Sequence, residues 1–321
     1  MRVFVAGASG VIGTRLVPQL IDRGHEVVGT SRSPEHAERI KRLGARSIVL
    51  DLLDPRAVRM AVLEAAPDAI VHQATALTDV KFSKNLDRSF VETNRLRREG
   101  TDALLAAARE AGVSRFVAQS YAGFRYVREG KWVKNEDDVL DPDPVEGMRE
   151  TCAAMTYLED AVTSAGGITL RYGSFYGAHN DGLVGSVVKR QFPIVGDGSG
   201  VNSFIHLEDA AAATVLALQH EGPALYNIVD DDPAPMREWL PVLAGALGAK
   251  PPRRIPVWLA KLFGGEAGVM LGTEARGASN AKAKRELGWA LRYPSWRQGF
   301  AVAYAPVRES RVTTIPTPTR A

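Results

Sequence analysis

Val3-Phe4-Val5-Ala6-Gly7-Ala8-Ser9-Gly10-Val11-Ile12-Gly13 opens the chain with an apolar strand, three glycines spaced three apart and the first turn of a helix. Each glycine has a separate physical task. Gly7 permits the tight exit from the strand, Gly10 lets the backbone approach a pyrophosphate, and Gly13 lets the helix pack close to the sheet. The helix start, with Ser9, Val11 and Ile12 around it, offers unpaired amide donors and the positive end of the helix dipole. A glycine triplet alone could be an ordinary turn. At the head of a strand–turn–helix unit it predicts a dinucleotide-binding turn, in G-x-x-G-x-x-G spacing.

Outward from this turn, short β-branched runs alternate with longer amphipathic segments as far as about Leu170. Strands are predicted at Val3–Ala6, Glu26–Thr30, Ser47–Leu50, Ala69–His72, Arg115–Gln119 and Ile168–Arg171. Helices are predicted near Ile12–Arg23, Pro34–Leu43, Arg56–Ala66, Glu92–Ala111 and Gly147–Ala165. The alternation implies an α/β fold, a doubly wound parallel Rossmann sheet with its ligand crevice at the carboxyl ends of the strands. Between Tyr121 and Gly147 lies a long polar loop, a kind of segment that often carries function. After Gly173 the rhythm breaks into Gly/Pro-punctuated pieces, with helices expected at Glu208–Gln219, Met236–Leu247 and Asn280–Leu287. The expected division is a dinucleotide-binding domain over 1–172, a smaller intertwined substrate domain with some chain exchange over 173–307, and a flexible tail over 308–321, where Thr313, Thr314, Pro316 and Pro318 make no core pattern.

Composition narrows the function classes. The 40 Lys and Arg against 37 Asp and Glu leave a net charge of only +3, dispersed along the chain, so a nucleic-acid partner has no electrostatic footprint. A single cysteine, Cys152, excludes internal disulfides and cysteine-based metal clusters. Met1-Arg2 leads straight into a strand and no apolar run approaches the roughly 18 residues of a membrane span, so the expectation is a cytoplasmic protein with no membrane partner and no metal.

The second strand's end discriminates between dinucleotides. An acidic residue there would bond the ribose 2′-hydroxyl of NAD. Val27-Val28-Gly29-Thr30-Ser31-Arg32-Ser33 has none and offers instead the Ser31 hydroxyl and the Arg32 guanidinium, which suit a 2′-phosphate. NADP(H) is expected over NAD(H), with a solvated Arg32 at a helix start as the plainer alternative.

With these residues in place, the chain resembles the extended short-chain dehydrogenase/reductase family, which includes nucleotide-sugar epimerases and dehydratases. Beyond the glycine turn, the resemblance rests on Asp51-Leu52, Val71-His72-Gln73-Ala74, Asn94 with Gly100-Thr101, and Arg171-Tyr172-Gly173-Ser174-Phe175-Tyr176-Gly177. It continues through Phe204-Ile205-His206-Leu207-Glu208-Asp209, Tyr226-Asn227-Ile228 and Lys284-Arg285-Glu286-Leu287-Gly288-Trp289, and so covers roughly residues 1–300. It implies Asp51 and Leu52 beside the adenine, Gln73, Ala74 and Thr75 along the cofactor, and Tyr172, Gly173 and Phe175 near the nicotinamide. It also implies that Asn94 steadies the site. Plainer roles stand beside these: Asp51 as a helix cap, the tyrosines and Phe175 as packing, and His72 and His206 as interior histidines, the reading preferred for both.

The same resemblance implies a serine or threonine after the fifth strand, and a tyrosine and lysine four residues apart on the next helix, the lysine lowering the tyrosine's pKa. Here the pattern breaks. Alignment through Glu159 puts Thr151 and Met155 at the dyad positions, and Gln119-Ser120-Tyr121 puts Tyr121 at or next to the serine/threonine position. Neither a threonine hydroxyl nor a thioether can replace an activated phenol. Tyr121, Ser120 and Thr151 are the catalytic candidates, with Tyr126, Lys131 and Lys134 further out in the loop.

These features lead to an atypical NADP(H) enzyme of this family acting on a small or medium, partly apolar organic substrate, for which Phe124, Tyr126, Trp132, Phe175, Tyr176, Phe192 and Trp258 could supply a pocket or simply a core. A nucleotide-sugar epimerase or dehydratase, and a non-enzymatic dinucleotide sensor, stand as alternatives. A homodimer is expected through Glu92–Ala111 and Gly147–Ala165, with Leu96, Leu104, Met148, Met155 and Leu158 as candidate surface.

Overall fold

The computed structural model describes residues 1–77, 84–177 and 182–313. Seven strands form one parallel sheet: β1 (Arg2–Ala6), β2 (Glu26–Ser31), β3 (Arg46–Val49), β4 (Ala69–His72), β5 (Arg115–Tyr121), β6 (Ile168–Tyr172) and β7 (Ala224–Ile228). Their spatial order is β7-β6-β5-β4-β1-β2-β3. Val3 therefore pairs with Val27 on one side and Ala69 on the other, and the order reverses at β1, which places the ligand crevice there. All four residues of β4 are buried, as a parallel strand between two helical layers requires.

On one face, Leu16, Val17 and Leu20 of helix Gly13–Asp22 pack with Ala210 and Ala213 of helix Leu207–Ala217. On the other, Val58 and Val62, Leu104 and Ala107, and Leu158 and Val162 bring in helices Pro55–Ala65, Thr101–Glu110 and Arg149–Ser164. A separate cluster around Tyr176, Phe204, Trp239, Trp296 and Phe300 forms the core of the C-terminal part. The two parts interlock. Ser174–Tyr176 pairs with Phe204–His206, and Val133–Lys134 from the long loop pairs with Gly277–Ala278.

Three expectations are corrected. The six-strand sheet gains β7, whose Tyr226 sits opposite Leu170; this strand comes from beyond the expected boundary at 172, as a chain exchange. Second, the helix Trp296–Thr313 runs into the stretch expected to be a flexible tail, because Trp296, Phe300 and Tyr304 at four-residue spacing anchor it in the C-terminal core; residues 314–321 lie outside the described residues. Third, Leu96, Leu104, Met148, Met155 and Leu158 are each at most 3 % exposed within one chain, so they cannot line a two-fold interface. The outer faces of those helices carry the ion pairs Arg95–Glu99 and Arg98–Glu150 instead. No helix among the described residues is long and apolar enough to cross a membrane.

Candidate active site

The glycine turn is built by close backbone approach. Gly7 sits at φ +85°, where a Cβ would lie 2.7 Å from the Ala74 Cα, and a Cβ on Gly13 would lie 2.4 Å from the Ala8 carbonyl oxygen. Any side chain at either position would force β1 away from β4 or the helix off the turn. Gly10 differs: a Cβ there would meet only the Gly7 carbonyl oxygen, at 3.3 Å, so its outer side is open. Helix Gly13–Asp22 begins at Ile12 with no side-chain cap, whereas Asp54 caps helix Pro55–Ala65 by accepting from Arg56 N and Ala57 N. The helix thus starts without a side-chain cap beside an open turn at the sheet's switch point, which fits a pyrophosphate. Val11 at its crest is 52 % exposed, apolar surface that a ligand would cover.

The neighbouring residues divide between holding the turn and facing the crevice. Ser31 is buried and accepts from Ser9 Oγ at 3.1 Å, so its hydroxyl stiffens the turn. Arg32 is exposed and ion-paired with Glu92. Asp51 is exposed and accepts from Leu53 N at 2.9 Å, while Leu52 is buried beneath it; the cap of the following helix is Asp54. Ala74 and Thr75 are half-buried at the exit of β4. Gln73 is buried and donates to the Tyr172 hydroxyl, which also meets Thr214 Oγ1 at 2.6 Å. Tyr172 therefore faces the core, its phenol pushed up to about 12 by burial despite these two partners. Phe175 is half-buried against the Tyr172 ring, and Gly173 donates to the Ile228 carbonyl. His72 and His206 are both interior histidines held neutral by burial, each lowered to about 4. His206 also caps helix Leu207–Ala217 by accepting from Glu208 N.

The helix that would carry the acid–base dyad presents none. Thr151 is fully buried and accepts from Asn94 Nδ2 at 3.2 Å. Asn94 in turn accepts from Arg97 beside a π-helical segment, Leu96–Gly100. Met155 is fully buried in an apolar cluster with Leu86, Phe90, Met148 and Met270. One turn on, Glu159 is the centre of a buried network. It accepts from Ser120 Oγ at 2.5 Å, from Arg171 at 2.6 Å and from Arg125. Burial pushes its carboxyl up, but Arg125 and Arg171 outweigh that and hold it at about 2. Ser120 is thereby committed to a structural ion cluster. Two of the loop candidates are engaged as well: Tyr126 donates to Asn227, and Lys134 is buried and donates to the Glu129 carbonyl, while Lys131 is exposed.

Tyr121 does reach a cleft. It lines a small space with Phe124, Ser174, Val201, Leu271 and Arg276, between the sheet's carboxyl edge and the C-terminal part. Its hydroxyl lies 2.9 Å from Ser174 Oγ, and burial raises its pKa, with the Ser174 bond only partly offsetting this. That is the wrong direction for an acid catalyst. Phe124 holds a positive φ of 50° at the lip, and its ring sits 5.1 Å from that of Tyr121. A non-glycine residue in that region is a strained feature of the kind that clusters at functional sites. Sequence reasoning missed Arg276 and Glu159 as site residues. Glu159 served there only as an alignment anchor, and Arg276 lies in an aperiodic stretch that the Val133–Lys134 pairing and the Val201 N–H to Ala275 carbonyl bond bring to the cleft.

The family model for the NAD dependent epimerase/dehydratase family matches residues 3–228, and the chain belongs to this family. It is an oxidoreductase- or isomerase-class enzyme with a nicotinamide-dinucleotide Rossmann fold. It is 42 % identical over 308 residues, 94 % of this chain and 99 % of the relative, to a 3-diazoavenalumate denitrifying reductase of Streptomyces sp. With a 2-alkyl-3-oxoalkanoate reductase of Stenotrophomonas maltophilia (strain K279a) it shares 29 % over 263 residues, 78 % of this chain and 76 % of that one. Among solved structures, it superposes on the UDP-glucose 4-epimerase of Thermus thermophilus, in complex with NAD, with a TM-score of 0.72 and 26 % identity. That match covers 96 % of this chain and 99 % of the epimerase.

Proposed function

We propose that this protein is an NADP(H)-dependent reductase that removes a diazo group from an aromatic compound. The observation that carries this reading is the dyad helix, where Thr151 is tied to Asn94 and Met155 is packed in the core, so that this helix sets no activated proton donor over the crevice. Ketone reduction, epimerisation and dehydration all need such a donor. When bound, the reduced cofactor supplies a hydride, and a hydride is all that an arenediazonium requires, since ArN2+ and H− together make ArH and N2. An aryl group is specified because alkyl diazonium ions lose nitrogen too fast to be substrates. The relative at 42 % identity, named for denitrifying a diazo compound, supports the same chemistry.

The protein's own part is binding and exclusion. The open turn at Gly10 and the uncapped helix at Gly13 would hold the pyrophosphate, and Arg32, released from Glu92, would meet the 2′-phosphate. Tyr121, Phe124 and Leu271 would hold a flat ring away from water, which protects a diazonium from hydrolysis. The test is anaerobic mixing of the protein, NADPH and a phenolic arenediazonium. Release of N2 matched one for one by NADPH oxidation is expected. Reduction of a β-keto acid or epimerisation of UDP-glucose, with no N2, would contradict it, and cofactor binding without any turnover would favour the sensor.

A further inference from the structure

The side chain of Arg276 is an anomaly in this structure. The residue is 9 % exposed, and its Nε and Nη1 are both shut from solvent with no acceptor among the described residues. Its Nη2 donates to the Arg128 carbonyl, and its guanidinium lies over the Trp132 ring, 3.9 Å from the centroid. It forms no ion pair among the described residues: nearby Glu274 is taken by Arg128 at 3.2 Å. Among the other buried arginines of the site, Arg125 and Arg171 both end on Glu159, and Arg97 donates to the Asn94 side chain. A buried guanidinium with unmet N–H groups is costly, and a fold keeps such an arrangement when something else supplies the acceptor.

We propose that Arg276 is the docking group for a substrate carboxylate, so that the cleft selects flat aromatic acids. Three features of the cleft point this way. Arg276 is the only charged residue among the described ones lining it, which matches a single negative charge; a diphosphate would call for further cations. Ser203, which also lines the cleft, is already satisfied, because its hydroxyl accepts from Ala278 N at 2.8 Å and donates to the Ala278 carbonyl. Tyr121, Phe124 and Leu271 provide aromatic and apolar walls that suit the ring of an aromatic acid. Trp132 and the Arg128 carbonyl fix the guanidinium in place, so little side-chain entropy remains to be lost when the anion arrives.

This inference rests on reading the cleft as the substrate site, and it is testable without turnover. The NADPH-loaded protein is titrated with cinnamate, with cinnamamide and with UDP-glucose, as wild type, R276Q and R276K. The expected result is a preference for the acid over the amide of roughly 10–100-fold, the worth of charge-assisted hydrogen bonds. R276Q should erase that preference by weakening the acid alone, and R276K should restore part of it. Equal binding of acid and amide by the wild type would overturn the proposal, as would an R276Q protein that weakens both alike. Tighter, Arg276-dependent binding of UDP-glucose would overturn it in favour of a diphosphate. An Arg276-dependent acid preference in a protein that releases no N2 would leave this inference standing and sink the diazonium reading. N2 release from an arenediazonium carrying a carboxamide as fast as from one carrying the carboxylate would do the reverse.

Discussion

The glycine turn after β1 and the helix Arg149–Ser164 border the same crevice, yet they have diverged to different degrees from the pattern the family resemblance implies. The turn keeps its three glycines: Gly7 and Gly13 stand where a Cβ would strike backbone atoms, and Gly10 leaves the outer side of the turn open. The helix carries Thr151 and Met155 where the resemblance implies a tyrosine and a lysine, and Met155 is packed among apolar side chains. Cofactor binding here depends on where the backbone goes, and chemistry on which side chains are present. The first is therefore hard to change without losing the fold, and the second can be replaced wholesale.

Substitutions should separate the two regions by the size of their effects. The largest is expected at Glu159, where E159Q would leave Arg125 and Arg171 buried without their counter-charge, at a cost of about 3–5 kcal/mol seen in denaturant unfolding. The same carboxyl makes a pH prediction. With its folded pKa held at about 2 below an ordinary 4.5, its contribution is complete above pH 4.5 and is lost as the pH falls toward 2. His72 and His206 act earlier. Both are lowered from 6.5 to about 4, so their contribution is present above pH 6.5 and declines as the pH falls toward 4. Thermal unfolding that stays flat from pH 7 to pH 4 would contradict this reading of the two rings.

At the turn, R32D should cut the preference for NADPH over NADH by roughly 10–100-fold, as expected for a lost charge-assisted contact, and titration with both cofactors reads it directly. Equal affinities for the two cofactors in the wild type would remove Arg32 from its role. The smallest effects belong to the helix and its neighbour. T151A and Y121F should each reduce turnover by less than about tenfold, well short of the roughly 10²–10⁴-fold lost with a general acid. A dead T151A enzyme with unchanged NADPH affinity would break the contrast between the two regions.

Regular, local features were legible in the sequence. β1, β2 and β4 and the first three helices fall within a residue or two of their predicted limits, because apolar periodicity and the glycine turn are short-range signals. What escaped was long-range. β7 is a five-residue mixed run whose strand character comes from pairing with β6, 56 positions earlier at Tyr226 and Leu170. Arg276 looks like a surface arginine until the Val133–Lys134 pairing folds Trp132 beneath it. The absent dyad was legible from residue types alone. That Ser120 is withdrawn into the Glu159 cluster was not, because its hydroxyl could have faced either side of β5.

The central claim, that reduction here takes a hydride from the cofactor and no proton from the protein, is tested most directly by isotope tracing. NADPH deuterated at the transferable C4 position is supplied in ordinary water with a phenolic arenediazonium, and the mirror experiment uses unlabelled NADPH in heavy water. Deuterium is expected on the former diazo carbon in the first experiment and not in the second. Deuterium delivered from heavy water alone would contradict the claim.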